Sequence, residues 1–228
     1  MSSDDSQAAL FAGIAGGAAA GFTLVALASA RRKTSKVDRA VERKAHVGRK
    51  RRTGRAARGM APLVKTYTMV PAAAAVAAWM VARPRTGPAV TRRSRAAGAA
   101  AILASAIVSG LAEPVFDHLL PQPPVPGGRT HKQPVFPSGH TFKPTALGLA
   151  CAHVLSREGL VPRGAAYGVA AGVSVVSGLA KLVARKHWLS DLAGGAFAGV
   201  AIGCGCCAGY EVFRGNLALR DAVEALGG

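Results

Sequence analysis

Acidic residues are scarce in this chain: 11 Asp or Glu stand against 29 Lys or Arg among 228 residues, a formal net charge of +18. Aromatic residues make up only 5%, and there are only four cysteines, three of them at Cys204, Cys206 and Cys207. So few cysteines exclude a disulfide-stapled secreted scaffold. Half of the residues are hydrophobic, which excludes a disordered basic protein. High hydrophobic content and high net charge can occur together when long uncharged stretches alternate with short basic ones. This pattern is typical of a polytopic membrane protein.

Six apolar stretches are candidates to cross a bilayer as helices, and no strand-like alternation of polar and apolar residues competes with that interpretation. We therefore predict an all-α fold, a bundle of six transmembrane helices, in the cell (plasma or inner) membrane. Residues 1–7 are expected to form a polar tail and residues 8–228 a single domain. The predicted spans are Ala8–Ala30, Ala61–Ala82, Ala96–Phe116, Phe142–Leu155, Val161–Ala180 and Leu189–Phe213.

Small residues recur at four-residue spacing in three of these spans. This spacing lets helices approach closely in lipid, although an Ala- and Gly-rich composition also produces it by chance. Such faces could join helices within the bundle or join copies of the chain in a homo-oligomer. The triplets are Gly13, Gly17 and Gly21; Gly164, Gly168 and Gly172; and Gly195, Gly199 and Gly203.

The basic residues collect in two loops. Residues 31–59 hold 13 Lys or Arg and only two acids, Asp38 and Glu42, and residues 83–95 hold five arginines. Loops that face anionic lipid explain this pattern, and we expect no nucleic-acid partner because no interleaved aromatic residues and no recognisable binding module are present. Positive charge favours the cytoplasmic side, so the 31–59 loop predicts a cytoplasmic position, although the arginines of the opposite loop weaken that argument.

Chemistry-bearing side chains concentrate in two loops, residues 117–141 and 181–191, which six spans would bring to the same membrane face. Asp191, four residues after His187, can hold one ring nitrogen of that histidine and leave the other to attack a substrate. His140, at the start of the fourth span, can donate a proton to a leaving oxygen.

The same loops contain the groups that would bind a phosphate. The Ser138 hydroxyl and the backbone N–H groups around Gly139, at the N-terminus of the fourth helix, form a phosphate cradle. Lys181, Arg129 and Lys132 would neutralise the oxygens of a transferring phosphoryl group. This set of residues calls for no metal ion and no other cofactor.

These residues resemble the type 2 phosphatidic acid phosphatase family, which includes lipid phosphate phosphatases and vanadium haloperoxidases. The second family motif, Pro-Ser-Gly-His, is matched by Pro137 to His140, and the His and Asp of the third motif are matched by His187 and Asp191. The resemblance covers residues 60–212 and implies a phosphohistidine at His187, an orienting Asp191 and a general acid at His140. It implies metal-independent hydrolysis of a lipid phosphate: a polyprenyl phosphate or diphosphate, phosphatidic acid or phosphatidylglycerol phosphate.

Two positions depart from the family pattern. The first motif, Lys, six residues, Arg-Pro, has no counterpart, because residues 113–123 contain neither Lys nor Arg. The Ser-Arg of the third motif reads Ala180-Lys181, which keeps the charge but loses the bidentate guanidinium fork. We predict that Arg129 and Lys132 replace the missing cations. The alternative function is a non-catalytic phospholipid-binding or scaffold membrane protein with a degenerate first motif.

For three further groups of residues we predict a structural role. His153 lies in the middle of a span and is predicted to be packed or hydrogen-bonded. The cysteines at 204, 206 and 207 are predicted to pack in the sixth helix rather than bind metal. Glu113 and Asp117 are predicted to pair with Lys132, Lys181 or Arg185, because acids at a membrane boundary are expensive.

Overall fold

The computed structural model describes residues 3–45, 65–84, 92–122, 136–184 and 186–226. These residues form seven helices, and the all-α prediction is confirmed. Each predicted span corresponds to one helix, and residues 35–45 of the predicted 31–59 loop form an additional one. The helices are α1 (Ser3–Ala30), α2 (Ser35–Ala45), α3 (Thr66–Ala82), α4 (Arg92–Leu119), α5 (Gly139–Arg157), α6 (Arg163–Val183) and α7 (Leu189–Leu226).

Four helices in the described ranges are long and apolar enough to cross a membrane: α1, α4, α6 and the part of α7 up to Leu217. The apolar helix α3 has only 17 residues. Helix α5 has 19 and carries buried polar side chains such as Lys143 and His153. Large apolar side chains, including Leu24 and Val169, are about two-thirds exposed on the outside of the bundle, as expected for a surface that faces lipid. Membrane-length helices are confirmed for four of the six predicted spans, and the count of six remains a prediction.

Residues 3–7, expected to form a polar tail, are instead the first turns of α1. Asp4 explains the difference, because its carboxylate lies 2.5 Å from Nη2 of Arg157 and 3.9 Å from Nε of Arg214. Asp4 also stands at the positive end of the α1 dipole, where a carboxylate is stabilising. The beginning of α1 is thereby tied to α5 and α7.

Helices α5 and α7 form the centre of the bundle, and glycines on α7 let them approach closely. A Cβ added to Gly195 would lie 2.8 Å from the carbonyl oxygen of Ser138, and one added to Gly203 would lie 2.8 Å from that of Ala146. The close helix contact that the spacing of Gly195, Gly199 and Gly203 predicts is therefore present, between α7 and α5. The other two triplets behave differently: a Cβ at Gly21 would meet Phe197, whereas no described atom lies within 4 Å of one at Gly13, Gly17, Gly164, Gly168 or Gly172.

Buried polar networks hold the end of the bundle at which α5 terminates. The carboxylate of Glu158, fully buried, accepts hydrogen bonds from the Tyr210 hydroxyl at 2.5 Å and from Ser94 at 3.2 Å. Arg95 lies 3.9 Å from the same carboxylate and donates to the carbonyl oxygen of Met80 at 3.1 Å. Mutual pairing is what permits such groups to be buried. Arg95 is thus a buried structural residue, unlike the lipid-facing arginines expected for 83–95.

His153 belongs to a second buried network at this end. Its Nε2 lies 2.6 Å from Oε1 of Glu211, and its Nδ1 lies 3.2 Å from the Tyr167 hydroxyl. Arg157 donates to both oxygens of Glu211, at 2.8 and 2.9 Å. The prediction of a hydrogen-bonded structural histidine is confirmed.

Two of the three cysteines of α7 pack in the apolar interior, as predicted. Cys204 and Cys207 are buried and form a cluster with Phe11 of α1, against which Leu149 and Val200 pack. Small polarizable thiols suit this position because they fill narrow space between closely spaced helices.

Candidate active site

The two predicted active-site loops meet at one end of the bundle. The backbone N–H of Ser138, just before α5, donates to the carbonyl oxygen of Asp191 in the first turn of α7, at 3.0 Å. The imidazole rings of His140 and His187 have centroids 6.5 Å apart and planes inclined by 49°. The structure therefore brings Ser138 and His140 of the second motif together with His187 and Asp191 of the third.

Asp191 lies behind His187 and also caps the helix that carries it. Its Oδ2 is 3.5 Å from Nδ1 of His187, longer than a strong hydrogen bond, and the carboxylate is fully buried. The same oxygen accepts the backbone N–H of Trp188 at 2.8 Å. Because α7 begins at Leu189, Asp191 is its third residue, and this contact is one half of a capping box. Helix capping thus fixes the carboxylate beside Nδ1 and turns Nε2 of His187 away from it.

Ser138 is buried at the start of α5 and organises its first turn. Its carbonyl oxygen accepts the backbone N–H groups of Thr141 and Phe142, at 2.9 and 3.0 Å, and its hydroxyl oxygen lies 3.2 Å from the hydroxyl of Thr141. Gly139 and His140 follow directly, so the segment predicted to bind phosphate is the N-terminus of a helix, and phosphate binding there stays a prediction.

The side chain of Gln122 also holds this turn, through two hydrogen bonds to the backbone of Phe136. Gln122 donates from Nε2 to the carbonyl oxygen of Phe136 and accepts the Phe136 N–H at Oε1, both at 2.9 Å. The buried ring of Phe136 packs so tightly that a Cβ at Gly194 would lie 2.7 Å from it. Residues 123–135 between them, including Arg129 and Lys132, lie outside the described residues, so the role predicted for these two cations is untested.

Lys181 lies near the C-terminal end of α6, immediately before the loop that leads to His187. Its side chain is only 5% exposed, and its carbonyl oxygen accepts the backbone N–H of Lys186 at 3.0 Å. The end of α6 thus helps to hold the His187 loop. Contact of Lys181 with a phosphate remains a prediction.

Lys143 and Glu113 form an ion pair that the motifs do not predict. Nζ of Lys143 donates to Oε2 of Glu113 at 2.7 Å and to the Thr66 hydroxyl at 3.3 Å. The described ion-pair partner of Glu113 is thus Lys143 and not Lys181, while Lys132 and Arg185 lie outside the described residues. A signal existed, since Lys143 is a lone charge one helical turn after His140 in an apolar segment.

The position of Glu113 matters because the resemblance implies cations in this part of α4. A Cβ added to Gly139 would collide with Oε1 of Glu113. The end of α4 therefore places a carboxylate, balanced by Lys143, against the first residue of α5. A side chain at position 139 would require the Glu113 side chain to move.

Asp38 of α2 is the second unpredicted residue at this end of the bundle. Its two carboxylate oxygens accept the backbone N–H and the hydroxyl of Ser190, at 2.9 and 2.8 Å. The helix within the 31–59 segment and the two histidine loops therefore lie at the same end, as six spans require. The signal in the sequence is an isolated acid in a strongly basic stretch.

Chemically, the site is a pair of facing imidazoles with a buried carboxylate behind one of them. A neutral imidazole is nucleophilic near neutral pH, and a second one across a gap can donate or accept a proton. A helix N-terminus beside both rings favours an anionic substrate.

The chain is similar to known proteins in sequence and in fold. Residues 94–213, more than half of the chain, match the sequence profile described as PAP2 superfamily. The fold is similar to the crystal structure of the first transmembrane PAP2 type phosphatidylglycerolphosphate phosphatase, from Bacillus subtilis. The TM-score is 0.68 at 18% sequence identity, over 83% of this chain and 92% of that chain. Among curated proteins, none matches this chain.

Proposed function

This chain belongs to the PAP2 superfamily, and we propose that it hydrolyses a lipid phosphate through a phosphohistidine at His187. One observation carries the proposal: the rings of His187 and His140 face each other at 6.5 Å, with the Asp191 carboxylate on the Nδ1 side of His187. Four membrane-length helices would hold the site beside a bilayer, so a phosphate on an apolar chain suits it.

The first step transfers the phosphoryl group to the protein. Nε2 of His187 attacks phosphorus and forms the N–P bond as the bond from phosphorus to the lipid oxygen breaks. Asp191 stabilises the positive charge that develops on the ring. His140 gives its proton to the departing oxygen, because an alkoxide is a poor leaving group.

The second step releases inorganic phosphate. A water molecule attacks the phosphorus of the phosphohistidine, and His140, now neutral, accepts a proton from that water. The N–P bond breaks, its electron pair returns to Nε2, and both histidines regain their starting protonation states. Neither step, as written, needs a metal ion.

Phosphate binding is assigned to the start of α5 and to nearby cations. Ser138 and Gly139 would contact the phosphate oxygens through the helix N-terminus. Lys181, Arg129 and Lys132 would neutralise its charge.

The substrates to be compared are a polyprenyl phosphate or diphosphate, phosphatidic acid and phosphatidylglycerol phosphate. The last is included because the similar Bacillus subtilis structure is that of a phosphatidylglycerolphosphate phosphatase. We place the protein in the plasma or inner membrane as a multi-pass protein of six spans. Anionic lipids would contact the basic 31–59 segment, and the outward faces of α1 and α6 would serve a homo-oligomer.

One observation favours the alternative of a phospholipid-binding protein without turnover. Glu113, paired with Lys143, places a carboxylate against Gly139, close to where a phosphate would bind. In that case the protein would retain lipid phosphates and release no phosphate from them.

Phosphate release by purified protein in lipid nanodiscs tests the proposal across the four lipid phosphates. We expect release from at least one, without added divalent metal, and none from His187→Ala prepared in the same way. The matched control is His153→Ala, which removes a buried histidine at the opposite end and should retain turnover in its folded fraction. Equal release by wild type and His187→Ala would contradict the mechanism. Lipid binding without release would support the alternative.

A further inference from the structure

The N-cap position of α7 lacks an acceptor side chain, while the Asp191 carboxylate caps the backbone N–H of the residue at that position. Trp188 precedes Leu189 and so occupies the N-cap position, where Ser, Thr, Asp or Asn normally accepts the N–H of the second or third helical residue. An indole carries no acceptor oxygen. The backbone N–H of Ser190, the second residue of α7, therefore needs an acceptor from elsewhere, because a buried unpaired N–H is costly.

Asp38 supplies that acceptor from 152 residues away in the sequence. Oδ1 accepts the Ser190 N–H at 2.9 Å, and Oδ2 accepts the Ser190 hydroxyl at 2.8 Å. The two residues are 5% and 6% exposed, and both line a cavity of about 220 Å³. A carboxylate at the positive end of the α7 dipole gains further stabilisation.

The described residues of α2 offer little apolar surface to this turn. Asp38 and Glu42 are its buried residues, whereas Val37 is 58% exposed and the basic side chains point outward. A cavity of about 220 Å³ separates α2 and the preceding turn from Trp188 and is lined by Ser29, Arg32 and Arg39. Apolar packing of α2 is thus sparse, and the two hydrogen bonds between Asp38 and Ser190 join it to the first turn of α7.

Ser190 lies directly before Asp191, whose contacts hold the rest of the site. The Asp191 carbonyl oxygen binds the Ser138 N–H, and its carboxylate binds Trp188 and faces His187. We propose that Asp38 is a positioning residue, which holds the first turn of α7 so that Asp191 stays aligned with His187. The statement about catalysis rests on the proposed function, whereas the statement about ring alignment does not.

Three variants test the proposal with the substrate that gives phosphate release. Asp38→Ala removes both acceptors, Asp38→Asn keeps one weaker acceptor, and Ser190→Ala removes only the hydroxyl bond. We expect kcat to fall by about 10- to 100-fold in Asp38→Ala, less in Asp38→Asn and least in Ser190→Ala, with KM unchanged within about twofold. Val37→Ala, on the exposed face of the same helix, is the matched control and should keep wild-type kinetics.

A second readout does not depend on turnover. In protein labelled with ¹⁵N-histidine, a ring held by Asp191 has its proton fixed on Nδ1, and we expect the His187 signals to change in Asp38→Ala but not in Val37→Ala. A wild type without phosphate release would contradict the proposed function, and the ring signals would still decide the positioning role. Wild-type kcat together with unchanged His187 signals in folded Asp38→Ala would overturn the inference. If Asp38→Ala does not fold, the same comparison is made with Ser190→Ala, which keeps the backbone bond.

Discussion

At the scale of single residues, Asp191 contacts both loops of the candidate site. Its carbonyl oxygen receives the Ser138 N–H at 3.0 Å, and its carboxylate receives the Trp188 N–H at 2.8 Å while facing Nδ1 of His187. The backbone contact depends on fold alone, whereas the contact with His187 depends on charge. A substitution that preserves shape and removes charge can therefore separate the two.

Asp191→Asn should leave the protein folded and lower kcat by about 10⁴-fold, by analogy with the orienting acid of other catalytic triads. The amide oxygen can still cap Trp188, but the neutral side chain no longer stabilises an imidazolium. Steady-state kinetics and thermal unfolding of the purified variant measure the two effects. Asp4→Asn, the same change at the other end of the bundle, should reduce stability and leave kcat of the folded protein unchanged. Equal activity of Asp191→Asn and wild type would contradict the role of the carboxylate.

His140→Ala should slow hydrolysis of lipid phosphates most and hydrolysis of an aryl phosphate least. A lipid alkoxide needs a proton as it leaves, whereas an acidic phenol leaves without one. The ratio of kcat/KM for the two substrates, compared between wild type and variant, measures the effect. An equal loss for both substrates would assign His140 to phosphate binding instead of proton donation.

At the scale of elements, the approach of α5 to α7 sets the distance between the two histidines. His140 is carried at the start of α5, and His187 is held by the first turn of α7. Between the helices, a Cβ at Gly199 would lie 2.5 Å from the carbonyl oxygen of Phe142 and 2.6 Å from Cβ of Thr145. Any side chain there must push the helices apart.

Gly199→Ala should lower the free energy of unfolding by about 1–3 kcal/mol through overpacking and should also reduce kcat, because it displaces His140 from His187. Gly205→Ala, on the same helix, is the matched control, since no described atom lies within 4 Å of its added Cβ. Thermal unfolding in detergent and steady-state kinetics check both variants. Equal stability and equal kcat of Gly199→Ala and Gly205→Ala would show that the contact between α5 and α7 does not position the site.

The helices and the central site residues follow from the sequence because their signals are local. Apolar runs identify the long helices, and the spacing from His187 to Asp191 is one turn of a helix. Helix α2 is less visible, because its 11 residues carry too many charges for an apolar pattern. The pairs Asp38–Ser190 and Lys143–Glu113 join residues 152 and 30 positions apart, and no local pattern specifies such partners.

At the scale of the whole molecule, the bundle has two different ends. One carries α2, the two histidines and Asp191, and the other is closed by the buried pairs of Glu158 and Glu211. Basic residues near membrane helices favour the cytoplasmic side, and the 31–59 segment carries 13 of them. We therefore expect the site to open toward the cytoplasm.

Cysteine accessibility tests this orientation. In a background with the four native cysteines replaced by alanine, Gly48→Cys should react in intact cells only with a membrane-permeable thiol reagent. A cysteine at Gly87, in the other basic loop, is the control and should react with an impermeant reagent. The reverse pattern would place the site on the outer face.

The most direct test of the mechanism is rapid-quench trapping of the phosphoenzyme. Purified protein is mixed with ³²P-labelled lipid phosphate, stopped within milliseconds, and its protein-bound label is tested for acid and base stability. A phosphohistidine predicts label that is stable in base, lost in acid, formed no more slowly than phosphate is released, and absent from His187→Ala. Wild-type protein that turns over without such label, or His187→Ala that still acquires it, would contradict the assignment of His187 as the nucleophile.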